Sequence, residues 1–228
     1  MTVHFADSVL TKARELIAVE LWNQGAVTVN VAQPYRLASG NFSPIYIDCR
    51  RLLRSVAFAD FFAGVAKLIC ERHGVGFDLI GGGETAGIPL SAFLARSMNV
   101  PMIYVRKSSK AHGTASRIEG RLGPGERVLL TEDLITDGGS KLDFIEAIRD
   151  AGGRVADVLV VLDRLQGGAE ALSGIDIRLH AATDISIVLD QGMAAGVHTP
   201  DVFAIIRDYL SNAEAWHASM SLPFQKRG

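Results

Sequence analysis

The sequence predicts an α/β fold: a parallel sheet with helices on both faces, preceded by a smaller N-terminal lobe. Three observations carry this. Near-continuous apolar runs of strand length, such as V-A-D-V-L-V-V-L-D (155–163), suit strands buried on both sides. Longer stretches with apolar residues at helical spacing lie between them, and that alternation is the mark of βαβ units. Residues 25–50 break the rhythm with β-branched and aromatic residues among turn formers, which predicts short strands in a separate hood lobe.

Taken in order, D-S-V-L-T-K-A-R-E-L-I-A-V-E-L-W (7–22) reads as a helix capped by Asp7 or Ser8. A hairpin is expected around Ser39-Gly40-Asn41, and a helix over 55–73. F-D-L-I-G (77–81) is a strand, and residues 86–98 are a helix with Pro89 in its first turn. Strands follow at 100–105 and 127–132, then a helix at 140–152 closed by glycine. Strands at 155–163 and 175–180 complete the sheet, and S-L-P-F-Q-K-R-G reads as a frayed tail. The chain divides into an N-terminal helix and hood (1–54), a core (55–195) and a C-terminal helix and tail (196–228).

Composition bounds the function. With 228 residues and 48% hydrophobic content, the chain is long enough for one sizeable folded domain with an extension. A net charge of -2 gives no nucleic-acid footprint, so any anion site is local. Cys49 and Cys70 have neither metal-ligand nor disulfide spacing, and Cys49 reads as a packed small side chain rather than a nucleophile. The N-terminus lacks the pattern of a signal peptide, and no apolar run approaches the ~20 residues that span a bilayer. The expectation is a cytoplasmic protein with no nucleic-acid or membrane partner.

V-L-L-T-E-D-L-I-T-D-G-G-S-K (128–141) is the segment that carries chemistry. Strands seldom end in Glu-Asp, because an unpaired buried charge is costly. In open parallel sheets, however, ligands bind beyond the carboxyl ends of the strands. Backbone N–H groups of Thr136, Asp137, Gly138, Gly139 and Ser140, with the helix N-terminus behind them, suit a phosphate. Glu132 and Asp133 beside that phosphate suit the hydroxyls of the same ligand's sugar. The stretch reads as a ribose-phosphate cradle.

This pattern resembles the phosphoribosyl pyrophosphate (PRPP) motif of type I phosphoribosyltransferases. Two further segments resemble the orotate phosphoribosyltransferase family: V-R-K-S-S-K-A-H-G (105–113), similar to its mobile catalytic loop, and S-G-N-F-S-P-I-Y-I-D (39–48). L-D-R (162–164) matches the position of that family's orotate-contacting arginine. The resemblance covers about residues 25–168 in the right order. It implies a type I phosphoribosyltransferase fold, a doubly wound parallel sheet under an N-terminal hood. It also implies transfer of a phosphoribosyl group from PRPP to orotate with release of pyrophosphate, in pyrimidine synthesis.

By the same resemblance, Lys107, Lys110, His112 and Asp133 are catalytic. Arg106, Lys107, Lys110, His112, Glu132, Asp133, Leu134, Ile135, Thr136, Asp137, Gly138, Gly139 and Ser140 bind PRPP. Tyr46, Thr136 and Arg164 bind orotate. Mg²⁺ is held mainly through PRPP, with Glu132 and Asp133 as further ligands, and the enzyme is a homodimer with shared active sites. Chemistry independent of the family supports the lid: a basic cluster among small residues and a glycine can move and close over pyrophosphate.

Some features depart from the family. Ala38 and Ala86 stand where relatives often carry lysine, and Asn41 and Phe42 where basic residues are frequent. Asp137 stands beside the expected 5′-phosphate, so its side chain is expected to turn away and cap the helix. G-G-G-E-T-A (81–86) also satisfies the dinucleotide fingerprint G-x-G-x-x-A, but the ribose-binding carboxylate expected about 20 residues later is missing. In the phosphoribosyltransferase reading this glycine-rich loop binds pyrophosphate through backbone amides, and Glu84 must face metal or solvent. The histidines other than His112 read as surface or capping groups. Two rival functions stay open: a purine phosphoribosyltransferase, and a non-catalytic PRPP-sensing regulator.

Overall fold

The chain opens with a long helix, α1 (Thr2–Asn23). Ile17, Ala18 and Leu21 are fully buried on one face, and Trp22 Nε1 donates to the Val188 carbonyl at 2.8 Å, which fixes the helix to the far end of the domain. In this computed structural model residues 2–37, 39–108 and 116–225 are described, with side chains from Asp7 onward. The helix starts before the expected caps. Asp7 is instead ion-paired with Arg72 at 2.8 Å, so its carboxylate ties α1 to the next helix.

The hood follows as two short antiparallel ladders: β1 (Val27–Val29) with β4 (Ile45–Ile47), and β2 (Tyr35–Arg36) with β3 (Phe42–Ser43). The turn between β2 and β3 is the expected one, with Gly40 at φ 87°. Ala38 lies outside the described residues. A 3-10 helix (Cys49–Arg54) leads to α2 (Val56–His73), capped by Ser55 accepting from Phe58 N–H and ended by Gly74 in the left-handed region.

Six strands form the sheet: β5 (Leu79–Gly83), β6 (Met102–Val105), β7 (Ile118–Glu119), β8 (Arg127–Ile135), β9 (Arg154–Asp163) and β10 (Arg178–Asp184). Their spatial order is β10-β9-β8-β5-β6-β7, parallel except for β7, which pairs antiparallel with β6. Both faces are covered. Leu129, Leu159 and Val161 join a core with α1, α2, α3 (Gly87–Met98), α6 (Ile185–Ala194) and α7 (Pro200–Ser211). Val128, Leu130, Val158 and Val160 join a second core with α4 (Gly139–Asp150) and α5 (Gly168–Ser173). This period-two alternation of apolar residues is what makes the strands apolar throughout.

Four expectations are corrected. β8 runs to Ile135 because its pairing with β9 continues to Ile135↔Asp163, so Glu132 and Asp133 lie inside the strand rather than at its end. Gly81–Gly83 are buried strand residues, not a loop. The last helix, α8 (Ala213–Ser219), is followed by a tail that is anchored rather than frayed: Gln225 N–H donates to Asn41 Oδ1 at 2.8 Å and Asn41 Nδ2 donates to the Gln225 carbonyl at 2.9 Å. His180 and His217 are buried, each hydrogen-bonded, not surface groups. Among the described residues no helix is long and apolar enough to cross a membrane.

Candidate active site

The sheet topology locates the site. β5 and β8 are neighbours, yet the chain leaves β5 toward β6 on one side and β8 toward β9 on the other. The connections diverge there and leave a crevice at the carboxyl ends of the strands, where ligands bind in such sheets. Two adjoining pockets open in this region.

The first, a cleft of about 270 Å³, is polar. The hood contributes Tyr46, Asp48 and Arg50, the β5–α3 loop Glu84, Thr85 and Ala86, β6 leads into Lys107, and β8 brings Glu132, Asp133 and Leu134, with Ser140 from α4. Successive strand residues point to opposite faces, so the two carboxylates differ. Asp133 is half-buried, and its Oδ1 accepts from the Leu134 N–H at 2.8 Å. Glu132 is 5% exposed, with Oε2 3.2 Å from Lys141 Nζ, itself 6% exposed. Burial pushes its carboxyl up to about 7, against the opposing pull of Lys141. Oε1 is buried without a hydrogen-bond partner among the described residues.

Two glycines make room for that carboxylate. A Cβ on Gly83 would collide with Glu132 Oε1 and with the Phe144 ring, and one on Gly87 would collide with Glu132 Oε1 and the Thr131 carbonyl. The glycines therefore serve packing, and the segment left to face a pyrophosphate is Glu84-Thr85-Ala86. Glu84 does not point a free charge at it: Oε2 accepts from the Lys107 N–H at 2.8 Å. That bond anchors one end of the basic segment. Arg117 anchors the other, with a two-pronged contact to Asp143 of α4 at 2.8 and 2.6 Å and Nε donating to the Arg106 carbonyl.

The second pocket, about 250 Å³, adjoins the phosphate-turn segment. Thr136 and Asp137 follow β8, Arg164 follows β9, and Ser39 and Asn41 come from the hood. Arg164 is 8% exposed. Its Nε and Nη2 are buried with no hydrogen-bond partner among the described residues. Burial lowers its pKa, and the neighbouring Tyr209 hydroxyl opposes that shift. Gly138 stands at the N-cap of α4 with φ 89°, a conformation that favours glycine. Asp137 Oδ1 accepts from the Gly139 N–H at 3.2 Å, the capping role expected of it, although the residue also lines this pocket.

The sequence-derived residues thus divide. Tyr46, Lys107, Glu132, Asp133, Leu134 and Ser140 share the first cleft; Thr136, Asp137 and Arg164 share the second pocket. Tyr46 is 40% exposed and lines the cleft, not the Arg164 pocket. The Arg106 guanidinium is directed to Glu119 on β7, at 3.7 Å. The Ile135 side chain is fully buried in the second core, so only its backbone can meet a ligand. Lys110 and His112 lie outside the described residues. The sequence reading missed Asp48, Arg50, Lys141, Tyr209, His217 and Phe224. Asp48 closes the very segment quoted for the hood, so proximity to Tyr46 was the available signal.

A family model for the phosphoribosyl transferase domain matches residues 56–188, which defines the class: a phosphoribosyltransferase fold. The orotate phosphoribosyltransferase of Rhizobium etli is 42% identical over 207 residues, 89% of either chain, and that of Rhizobium johnstonii is 48% identical over 171 residues, 73% of either chain. Among solved structures, orotate phosphoribosyltransferase from Aeropyrum pernix superposes with TM-score 0.67 at 32% identity, covering 80% of this chain and 99% of that one. UMP synthase of Leishmania donovani gives TM-score 0.76 at 31% identity, and this chain spans 42% of its length. The chain belongs to the orotate phosphoribosyltransferase family.

Proposed function

We propose that the protein transfers a phosphoribosyl group from PRPP to orotate, releasing pyrophosphate, as a step of pyrimidine synthesis in the cytoplasm. The observation that carries this is Arg164, a buried cation in the lining of a pocket beside the phosphate turn, with two buried N–H groups that lack a partner among the described residues. A planar carboxylate answers that need, because guanidinium–carboxylate pairs are directional and charge-assisted. A purine, which carries no carboxylate, would leave the charge unmatched.

In the reaction, orotate's ring nitrogen bonds to the anomeric carbon as the bond to pyrophosphate oxygen breaks. Such centres develop oxocarbenium character. Asp133 stabilises that positive charge and accepts from the ribose hydroxyls. The α4 N-terminus at Gly138–Ser140 holds the 5′-phosphate. Lys107, with Lys110 and His112, covers the departing pyrophosphate and excludes water.

The cleft fits Mg²⁺. Glu132, Asp133, Asp48 and Glu84 line it and would supply oxygen, the donor that this ion takes. The ion would be carried in largely by PRPP. When bound, the ion would neutralise pyrophosphate charge. We also propose a homodimer in which the lid of one subunit serves the other's site, checkable from the mass of the native protein.

The experiment mixes the protein with PRPP, Mg²⁺ and one base at a time, and follows pyrophosphate release. Release with orotate and none with adenine, guanine or hypoxanthine is expected. Turnover of a purine with no response to orotate would sink the reading.

A further inference from the structure

The Arg164 pocket has a wall that the phosphoribosyl chemistry does not require. Besides Thr136 and Arg164, its lining includes Tyr209 of α7, His217 of α8, and Phe224 with Gln225 of the tail. All four come from the segment beyond the residues that the family model matches. They are held as one piece. The Tyr209 and Trp216 rings meet edge to face at 5.1 Å, and Phe224 lies 4.9 Å from the His217 ring. His217 is 1% exposed and bonded at both nitrogens: Nδ1 to the Ala213 carbonyl at 2.6 Å, and Nε2 accepting from the Phe42 N–H at 2.9 Å. Those partners fix the tautomer with the proton on Nδ1, so the ring clips α8 to the hood. Gln225 and Asn41 then exchange two hydrogen bonds at the far end.

Arg164, in the same lining, is 8% exposed. A guanidinium in water is satisfied by the solvent and discriminates poorly between an anion and a neutral ring. A dry one with two open donors is left unmatched by any base lacking a carboxylate, and unmatched buried polar groups are what generate large specificity ratios.

We propose that the C-terminal segment, through Phe224 and the His217 clip, sets base specificity by keeping the Arg164 pocket dry, so that it accepts a pyrimidine carboxylate and refuses the same ring without one. This rests on the function proposed above. Tyr209, His217 and Phe224 are positioning residues, since they act through Arg164.

The test compares wild type, Phe224→Ala and Phe224→Leu, with uracil as the ring lacking the carboxylate. Phe224 is half-buried, so the fold survives its truncation. Phe224→Ala is expected to raise KM for orotate about tenfold, the scale of one lost apolar contact, with KM for PRPP and kcat unchanged. The preference for orotate over uracil should narrow by a similar factor, and Phe224→Leu should restore most of both. An unchanged orotate KM in Phe224→Ala overturns the proposal. So does a loss spread equally over kcat and both KM values, because that is the mark of a general structural role. The two readings fail differently: wild type that ignores orotate removes the proposed function itself, before any variant is measured.

Discussion

Glu132 stands in β8 and Arg164 just past the end of its neighbour β9, both almost fully buried and both charged, yet the chain treats them differently. Glu132 has Lys141 at 3.2 Å, a partner from the same domain. Arg164 has a hydroxyl beside it and two donors without a partner among the described residues. A buried charge matched from within contributes to the fold. A buried charge left open is a standing cost that only a ligand removes. The contrast separates a charge that is matched within the fold from one that is left for the proposed substrate to match.

Asp133 gives the largest expected effect. Among the described residues it is paired with no lysine, it is half-buried and it lines the cleft. Asp133→Asn keeps shape and removes charge, so kcat should fall about 10²-fold or more while the fold is retained, the scale for one preorganised stabilising group. Steady-state kinetics beside a thermal melt decide it. An Asn variant with wild-type kcat and PRPP affinity would count against the cradle.

Substitutions of the two cations sharpen the contrast further. Arg164→Met should lower kcat/KM for orotate about 10²-fold, as expected for loss of one member of a desolvated charge pair. The apo protein should become no less stable, because the unmatched charge has gone. Lys141→Met should do the reverse to stability. Glu132's folded pKa, about 7, lies above its usual 4.5. The stability linked to it is therefore whole below the lower value and is lost as pH rises through the higher one. Without Lys141 the folded value climbs further and that loss deepens. Urea melts should show Lys141→Met destabilised by about 3–5 kcal/mol at pH 8 and far less at pH 5. Equal losses at the two pH values would mean that Glu132 is not the group that Lys141 matches.

The smallest effect belongs to Cys49, which lies between these charges. Its thiol is pushed well up by burial and by the nearby carboxylates Asp133 and Asp48, with Arg164 and Lys141 pulling the other way. Thiolate, the reactive form, is therefore scarce. Iodoacetamide at pH 8 should leave activity intact and label neither cysteine until the protein is denatured. Native labelling of Cys49 with loss of activity would show the region between the pockets to be open.

How much of this was legible depends on distance along the chain. The sheet could be read because each parallel strand is a local apolar run, whereas β7 is two residues long and depends on β6 for its existence. The Glu132–Ser140 cradle is contiguous, so its residue types and spacing carried it, whereas Arg164 was reached only through its match to the family's arginine position. The glycines at 81–83 were misplaced because turn chemistry and tight packing leave the same letters. The wall of the Arg164 pocket was illegible: Asn41 and Gln225 are 184 residues apart, and no local pattern records that they meet. Lys141 was passed over as an ordinary helix residue, since only the tertiary structure turns its ammonium toward β8.

The glycines around Glu132 set terms for anyone redesigning this cleft. At Gly83 an added methyl meets side chains, Glu132 and Phe144, so changes at both 132 and 144 offer a route to accommodate it. At Gly87 it meets the main-chain oxygen of Thr131, which no substitution can shrink. A library that varies 83, 132 and 144 together should therefore yield folded clones that single-site libraries miss. Position 87 should return glycine however many neighbours are varied with it.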